Sequence, residues 1–367
     1  MVDFELSVEQ AALREITRDL LTAECPSRLV RSVAEAGPGL DEKLWARGAG
    51  MGWTGLTAPV RQGGTEQGLA ELCLVAEELG RAAAPGPWLE TALAAAAAAA
   101  RAETRHLAEE FAEGRLKAAF VHSAALRARS DDGGVVLSGR ARALYAGSAD
   151  WLLVVVPSGT EPYVLLVPTD SAHIERRNAL DLTRSLYDVD FDRVRVAADH
   201  VTGGHVLYAE QGQAQRLLDS MRVLIAADAL GVGERLLEMT VAHVTVREQF
   251  GRPLGGFQAV KHKAADMSMA LQALRAAVYY AAMTLDAGVA DASLAVAVAK
   301  GYAAETVPDV AGQALQLHGG IGFTWEHDLH LYLRRATADA ALFGTASYHH
   351  GRVLDLLTSD AHADAVG

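Results

Sequence analysis

Two short clusters in the chain hold side chains that could do chemistry. The first reads Arg247-Glu248-Gln249-Phe250-Gly251-Arg252-Pro253-Leu254 and continues into Gly255-Gly256-Phe257-Gln258. A helix ending here would pass through a Gly/Pro loop into a new helix. Such a place can present a guanidinium, an aromatic ring and an amide to a flat, phosphate-bearing ligand. The same residues would also make an ordinary helix–loop–helix corner with Phe250 in the core. The second cluster reads Gln316-Leu317-His318-Gly319-Gly320-Ile321-Gly322-Phe323, then Thr324-Trp325-Glu326-His327-Asp328. Adjacent glycines leave backbone N–H groups open and let a ligand touch the main chain. They equally suit a helix C-cap followed by a turn.

Long helices must position both clusters. The pattern is helical over residues 1–115, β over 116–203 and helical again over 204–367. Near the start, Ser7 with Gln10 resembles a capping box, and Ala11, Leu13, Ile16, Leu20 and Leu21 follow the helical period. Gly68 to Gly80 repeats the pattern, with Gly80 suited to a C-terminal stop. The run Ala94 to Ala100 reads as a closely packed helix, since alanine is the best helix former. In the middle, Val135-Val136-Leu137, Trp151 to Val156, Tyr163 to Val167 and Asp188 to Val196 are β-rich. Turn residues such as Asp132-Gly133-Gly134 and Pro157-Ser158-Gly159 separate them, as in a small antiparallel sheet domain. From about His205 onward the helical patterns are Gln211 to Arg247, Ala259 to Ala287, Ala292 to Leu317 and Asp328 to Leu357, which predicts a four-helix bundle.

Composition narrows the partners. Half of the 367 residues are apolar, enough for a large core, and 46 acidic against 33 basic side chains give a net charge of −13. With no basic block, neither nucleic acid nor an anionic membrane is an expected partner. Cys25 and Cys73 form no metal spacing and no disulfide framework, which predicts a reducing cytoplasm and no metal. Asp3, Glu5 and Glu9 stand where a signal peptide would carry positive charge, and no apolar run reaches the ~18 residues of a membrane span.

At their separation, the two clusters resemble the acyl-CoA dehydrogenase family of flavoproteins, and the resemblance extends over essentially the whole chain. The order helical, β, helical matches that family's fold. Asp181-Leu182-Thr183-Arg184 followed by Val189 to Val194 resembles the end of its middle domain, and Trp325 to Arg335 is similar to a group common in actinobacterial lipid and steroid catabolism. The resemblance implies FAD, and oxidation across the α and β carbons of an acyl-CoA: a carboxylate removes the α proton and the β hydride goes to the flavin. It also implies that Arg247, Phe250, Gln258, Gln316, Leu317, His318, Gly319 and Gly320 bind the adenine and pyrophosphate of an FAD whose ring lies in a neighbouring subunit.

The catalytic residues depart from the family. Its base usually precedes a Gly-Thr pair; here Phe343 precedes Gly344-Thr345. The alternative position precedes a helical arginine; here Met221 precedes Arg222. Neither side chain accepts a proton. Asp219, Asp228, Glu326 and Asp328 are the nearest carboxylates. Asp219 lies roughly 200° around a helix from Met221, and all four are expected in solvated or salt-bridged surface roles. The flavin-ring loop is also missing: Ala118 to Val121 leads into His122-Ser123-Ala124-Ala125-Leu126 without a Thr-Glu-Pro or an early Gly-Ser-Asp, and Gly147-Ser148-Ala149-Asp150 reads as a strand turn. What the chain would donate across an interface is present, and what it would use itself is absent. The expectation is a non-catalytic subunit of a heteromeric, α2β2 acyl-CoA dehydrogenase, acting with a catalytic partner on a steroid or other polycyclic acyl-CoA. A self-sufficient homomeric flavoenzyme with an unrecognised base and a flavin-free scaffold of the same fold are the alternatives.

Overall fold

The computed structural model describes residues 6–37, 39–131, 134–156, 162–197, 204–208 and 211–364. The turn residues Asp132-Gly133 and Pro157-Ser158-Gly159, the middle-domain end at 203 and the acidic residues Asp3 and Glu5 lie outside them.

Six helices come first: α1 (Val8–Glu24), α2 (Ser27–Ala36), α3 (Glu42–Gly50), α4 (Leu69–Arg81), α5 (Trp88–Ala99) and α6 (Arg105–Ala112). The capping box is formed: the Gln10 N–H donates to Ser7 Oγ at 3.2 Å, and the Ser7 N–H to Gln10 Oε1 at 3.0 Å. The alanine run forms α5, almost wholly buried. Gly80 is not a stop, because α4 continues to Arg81. Its missing side chain serves packing instead, since a Cβ there would lie 2.0 Å from the Asp228 carbonyl oxygen.

Among the described residues, eight strands form two four-stranded sheets: β1 (Ala118–His122), β2 (Arg127–Asp131), β3 (Gly134–Leu144), β4 (Trp151–Val156), β5 (Tyr163–Pro168), β6 (His173–Arg177), β7 (Leu186–Ala197) and β8 (His205–Tyr208). One sheet has the order β1-β4-β5-β8 and the other β2-β3-β7-β6. Pairing is antiparallel except between β1 and β4, which run parallel because the chain visits the second sheet between them. His205 opens a strand rather than the helical region. Ala146–Ser148 forms a short turn between β3 and β4, where Gly147-Ser148 is expected to turn.

The rest is helical: α7 (Gln211–Val246), α8 (Gln258–Ala287), α9 (Ala292–His318), α10 (Leu329–Ala341) and α11 (Ala346–Asp364). A two-residue hairpin, β9 (Glu248–Gln249) with β10 (Arg252–Pro253), joins α7 to α8. The last helical stretch read from sequence is two helices broken at Leu342–Thr345. The bundle is α7, α8, α9 and α10, with α11 as a fifth helix against α9. Residues 218–232 of α7 are buried on every side, so this helix is the axis of the core. Helix α4 reaches its backbone at Gly231, where a Cβ would stand 1.8 Å from the Glu77 carbonyl oxygen.

Candidate functional site

The first cluster is shaped by the hairpin after α7. The Arg247 N–H donates to the His243 carbonyl at 2.9 Å, and the Arg247 carbonyl accepts the Leu254 N–H at 2.8 Å, closing the loop. At its tip Phe250 (φ +53°) and Gly251 (φ +78°) are both left-handed, the geometry a two-residue hairpin needs. An aromatic residue is costly there, and the ring is not in the core: Phe250 is 91% exposed, edge-on to Phe257 with centroids 6.1 Å apart. The Arg252 guanidinium covers the other ring at 4.0 Å. Arg247 and Gln258 are exposed beside it.

The second cluster meets the first through stacked histidines. His318, at the end of α9, stacks on His243 of α7 at 4.5 Å, and His327 meets His318 edge-on at 5.0 Å. Burial holds both His243 and His318 below the usual histidine range, reinforced at His243 by His327 and Arg247 and opposed at His318 by its bond to Ala314. His318 is therefore neutral; its Nδ1–H donates to the Ala314 carbonyl at 2.8 Å. Gln316, Gly319 and Gly320 are exposed, Leu317 is half-buried and His318 is buried. Gly319 (φ +62°) caps α9, and a Cβ on Gly319 or Gly320 would meet nothing within 4 Å. All eight residues thus gather at one end of the bundle. The helix C-cap is real as well, whereas the core corner for Phe250 is not.

The two positions matched to the family's base lie elsewhere in the fold. Phe343 sits in the break between α10 and α11 with a left-handed backbone (φ +56°). Its carbonyl accepts Arg222 Nε–H at 3.3 Å and His349 Nε2–H at 3.2 Å. Lys300 Nζ donates to the Asp339 and Gly344 carbonyls at 3.0 and 3.1 Å. The turn that would present a base is thus firmly held, but it presents a ring, edge-on to Phe120 at 5.5 Å. Met221 is fully buried in the core.

The substitute carboxylates are not all on the surface. Asp219 is fully buried, accepting Arg222 Nη1–H at 2.8 Å and Ser293 Oγ–H at 2.6 Å. Asp228 is buried against Arg335, with 2.9 Å from Nε to Oδ2. Burial alone would raise the Asp228 carboxyl, but the Arg335 and Arg184 guanidinium groups outweigh it and hold the group low. A partner arginine is what makes each burial tolerable. Because α7 is buried all round, the helical angle between Asp219 and Met221 does not send either to solvent. Asp328 does pair near the surface, with Arg31 at 2.7 Å, and Glu326 is exposed.

A cavity of about 520 Å³ opens beside Phe343, walled by Phe120, His122, Ala143, Leu144 and Leu342. Glu90 and an ion cluster that sequence reasoning missed close one side of it. Arg184 Nε–H donates to Asp181 Oδ2 at 2.6 Å and its Nη2 to Asp339. Arg335 bonds Asp228, Thr183 Oγ1 at 3.0 Å and the Ala84 carbonyl at 3.2 Å. Burial pushes the Asp339 carboxyl up despite Arg184. The cluster ties α4's end, the middle domain and the bundle together. Asp181 to Arg184, Asp228 and Arg335 each appear in the sequence reading, but nothing in their spacing brings them together.

A helical N-terminal part, a two-sheet β part and a C-terminal helical bundle define the architecture of the chain. Residues 7–111 match the acyl-CoA dehydrogenase N-terminal domain and residues 211–356 the acyl-CoA dehydrogenase C-terminal domain. The chain is 31% identical over 92% of its length, and 96% of the relative's, to acyl-CoA dehydrogenase IpdE2 of Mycolicibacterium smegmatis. Among solved structures it resembles a Tcur3481-Tcur3483 steroid ACAD variant (30% identity, TM-score 0.88, 96% of this chain and 99% of that one). It also resembles the ChsE4-ChsE5 complex of Mycobacterium tuberculosis (26% identity, TM-score 0.89, 97% and 99%). The chain belongs to the acyl-CoA dehydrogenase family.

Proposed function

We propose that this chain is the non-catalytic subunit of a heteromeric acyl-CoA dehydrogenase. It lends Arg247, Phe250, Gln258 and Gln316 to Gly320 to an FAD whose ring is held by a catalytic partner, in an α2β2 assembly. The observation that carries this reading is Phe343. Its turn keeps three donors, Arg222, His349 and Lys300, around two carbonyls, yet no carboxylate projects from it. When bound, FAD supplies the hydride acceptor of the reaction.

The donated half suits a dinucleotide. Its backbone is open at Gly319 and Gly320, its guanidinium at Arg247 is exposed, and Phe250 offers a ring face. The ring half of this chain does not suit a flavin. The loop after Val121 carries neither of the family's flavin-ring signatures, and the charged groups that line the cavity, Arg184 with Asp181 among them, are already paired with one another. Likeness to a steroid ACAD and to a two-component complex supports a partner subunit and a polycyclic acyl-CoA substrate.

The test is to express the chain alone and with a neighbouring dehydrogenase gene, recording the flavin spectrum and acyl-CoA-dependent reduction of an electron acceptor. The proposal expects little flavin and no turnover alone, with both appearing in the complex. Turnover with near-stoichiometric FAD in the isolated chain would instead establish the homomeric enzyme. Flavin absent even from the complex would establish a scaffold.

A further inference from the structure

A groove of about 330 Å³ runs where α1, α4 and α8 meet, and neither half-site uses it. Each helix lends it a stripe at one-turn spacing: Leu6, Gln10 and Arg14 along α1, then Ala70 and Leu74 from α4. Helix α8 adds Gln272, Ala276 and Met283. The directions of the helices give this groove two unlike ends. Gln10 Nε2–H donates to Glu71 Oε1 at 2.7 Å and Arg18 Nη2–H to Glu78 Oε1 at 2.6 Å, so α1 and α4 run the same way. The Leu69 N–H donates to Asp286 Oδ1 at 2.9 Å and Arg275 Nη1–H to Glu77 Oε2 at 2.9 Å, so α8 runs the other way. Leu6, Ala70 and Met283 therefore share one end, and Arg14, Arg275 and Gln272 the other. From Met283 to Gln272 the groove measures about 16 Å at the helical rise per residue.

The charged side chains that line it, Arg14 and Arg275, are both cationic, on a chain whose net charge is −13. Arg275 is already paired with Glu77 and Glu234. Arg14 has no ion-pair or hydrogen-bond partner among the described residues.

We propose that this groove binds a single-chain fatty carboxylate, its head on Arg14 and its tail along Leu74 and Ala276 toward Leu6 and Met283. A guanidinium takes a carboxylate by two parallel charge-assisted bonds, and an unpaired one has both to offer. The buried Leu74 makes an apolar floor, and the half-open Met283 is an unbranched side chain that adapts to a flexible tail. The volume lies within the range of small-molecule sites, roughly 300–1,000 Å³, which are mostly apolar with a few placed polar groups. The inference goes beyond the subunit reading: it needs neither FAD nor a partner, and the ligand is not the thioester that the complex oxidises.

The test titrates the full-length chain calorimetrically with decanoate, with 1-decanol as the same tail without charge, and with acetate as the head without tail. The wild type should bind decanoate about tenfold more tightly than decanol, the ratio a charge-assisted bond supplies, and acetate not measurably. Arg14→Gln should bring decanoate down to the level of decanol and leave decanol binding intact. Ala276→Trp, which fills the groove from the exposed side of α8, should abolish both. Equal affinity for decanoate and decanol in the wild type, binding of neither, or a preference that survives Arg14→Gln overturns the proposal. So does undiminished binding in Ala276→Trp, and acetate bound as tightly as decanoate would mean an adventitious ion only. If Ala276→Trp does not fold, the probe ratio in wild type against Arg14→Gln decides alone. None of these results bears on flavin occupancy in the complex, so the subunit reading stands or falls separately.

Discussion

At the tip where α7 and α9 end, Arg247, Phe250, Gln258 and Gly319 face outward, and the polar surface is left open. Beside Phe343 the order is reversed: Lys300 and His349 are spent on backbone carbonyls, Arg222 on the Phe343 carbonyl and Asp219, and Arg184 and Arg335 on buried aspartates. Both regions hold an aromatic residue in left-handed backbone, Phe250 at one and Phe343 at the other. The first ring is exposed, as a contact for something outside the chain would be. The second is packed on Phe120, as a wall would be. The same local strain therefore serves presentation in one place and closure in the other, and the neighbours decide which.

The largest expected effect separates the two regions by activity. Alone, the chain should show no acyl-CoA oxidation, since loss of a general base commonly costs ~10²–10⁴-fold. Phe343→Glu, assayed without partner and with added FAD, should stay inactive, because the loop after Val121 still carries neither flavin-ring signature. Activity gained only by that variant would mean that the ring half is intact and that the region beside Phe343 is as open to a cofactor as the tip. The substitution also gives up the Phe120 edge contact, worth ~0.5–1.5 kcal/mol.

Next comes the ion cluster at the cavity side. Arg335→Met leaves Asp228 buried without its main partner, and breaking such a pair costs ~3–5 kcal/mol. Denaturant unfolding should register that loss, whereas Arg247→Met at the open tip should leave the midpoint in place. Equal stability of the two variants would erase the distinction between a closed and an open region.

Arg247→Ala sharpens the comparison from the other side. Charge-assisted bonds to phosphate are worth ~1.5–3 kcal/mol each, so FAD occupancy of the assembled complex should fall and its salt dependence should weaken. Unchanged occupancy and salt dependence would remove the tip from the cofactor site.

The smallest effect is a pH trend at Glu90. Burial raises its folded-state carboxyl above the unfolded value of 4.5, to about 7. Its stabilising share is complete below pH 4.5 and is lost as pH rises through about 7. The stability of Glu90→Gln relative to wild type should thus climb between those limits, by at most ~1.4 kcal/mol per pH unit. A flat difference across that window would show the carboxyl to be solvated.

Much of this was legible from residues alone, because helical and β periodicities differ and the two glycine-bearing clusters are distinctive. The strands around Val135, Trp151 and Tyr163 and the long helices appear where their patterns place them. What stayed hidden depends on neighbours distant in sequence. Gly80 reads as a helix stop, yet its role is backbone contact with Asp228. Phe343-Gly344 carries no turn signature strong enough to break the run from Asp328 to Leu357. Asp228 reads as a surface acid because its partner Arg335 is more than one hundred positions away, and Asp219 does so although Arg222 stands three residues on, because nothing local tells that both faces of this helix are buried. Glu90 sits in Trp88-Leu89-Glu90-Thr91, where nothing local tells a buried acid from an exposed helix-start glutamate.

Helix α7 is also a ruler. It carries Arg222 in its buried half and ends one residue before Arg247. At 1.5 Å per residue the two arginines stand about 37 Å apart on one continuous rod. Gly231, pressed against the Glu77 carbonyl, pins that rod to α4 part-way along. One residue added beyond the pin would advance the tip by about 1.5 Å and swing it by about 100°. Each half-site could survive such an insertion with its own contacts whole. Their mutual aim would not, so the length of this helix is as much a part of the protein's chemistry as any side chain it bears.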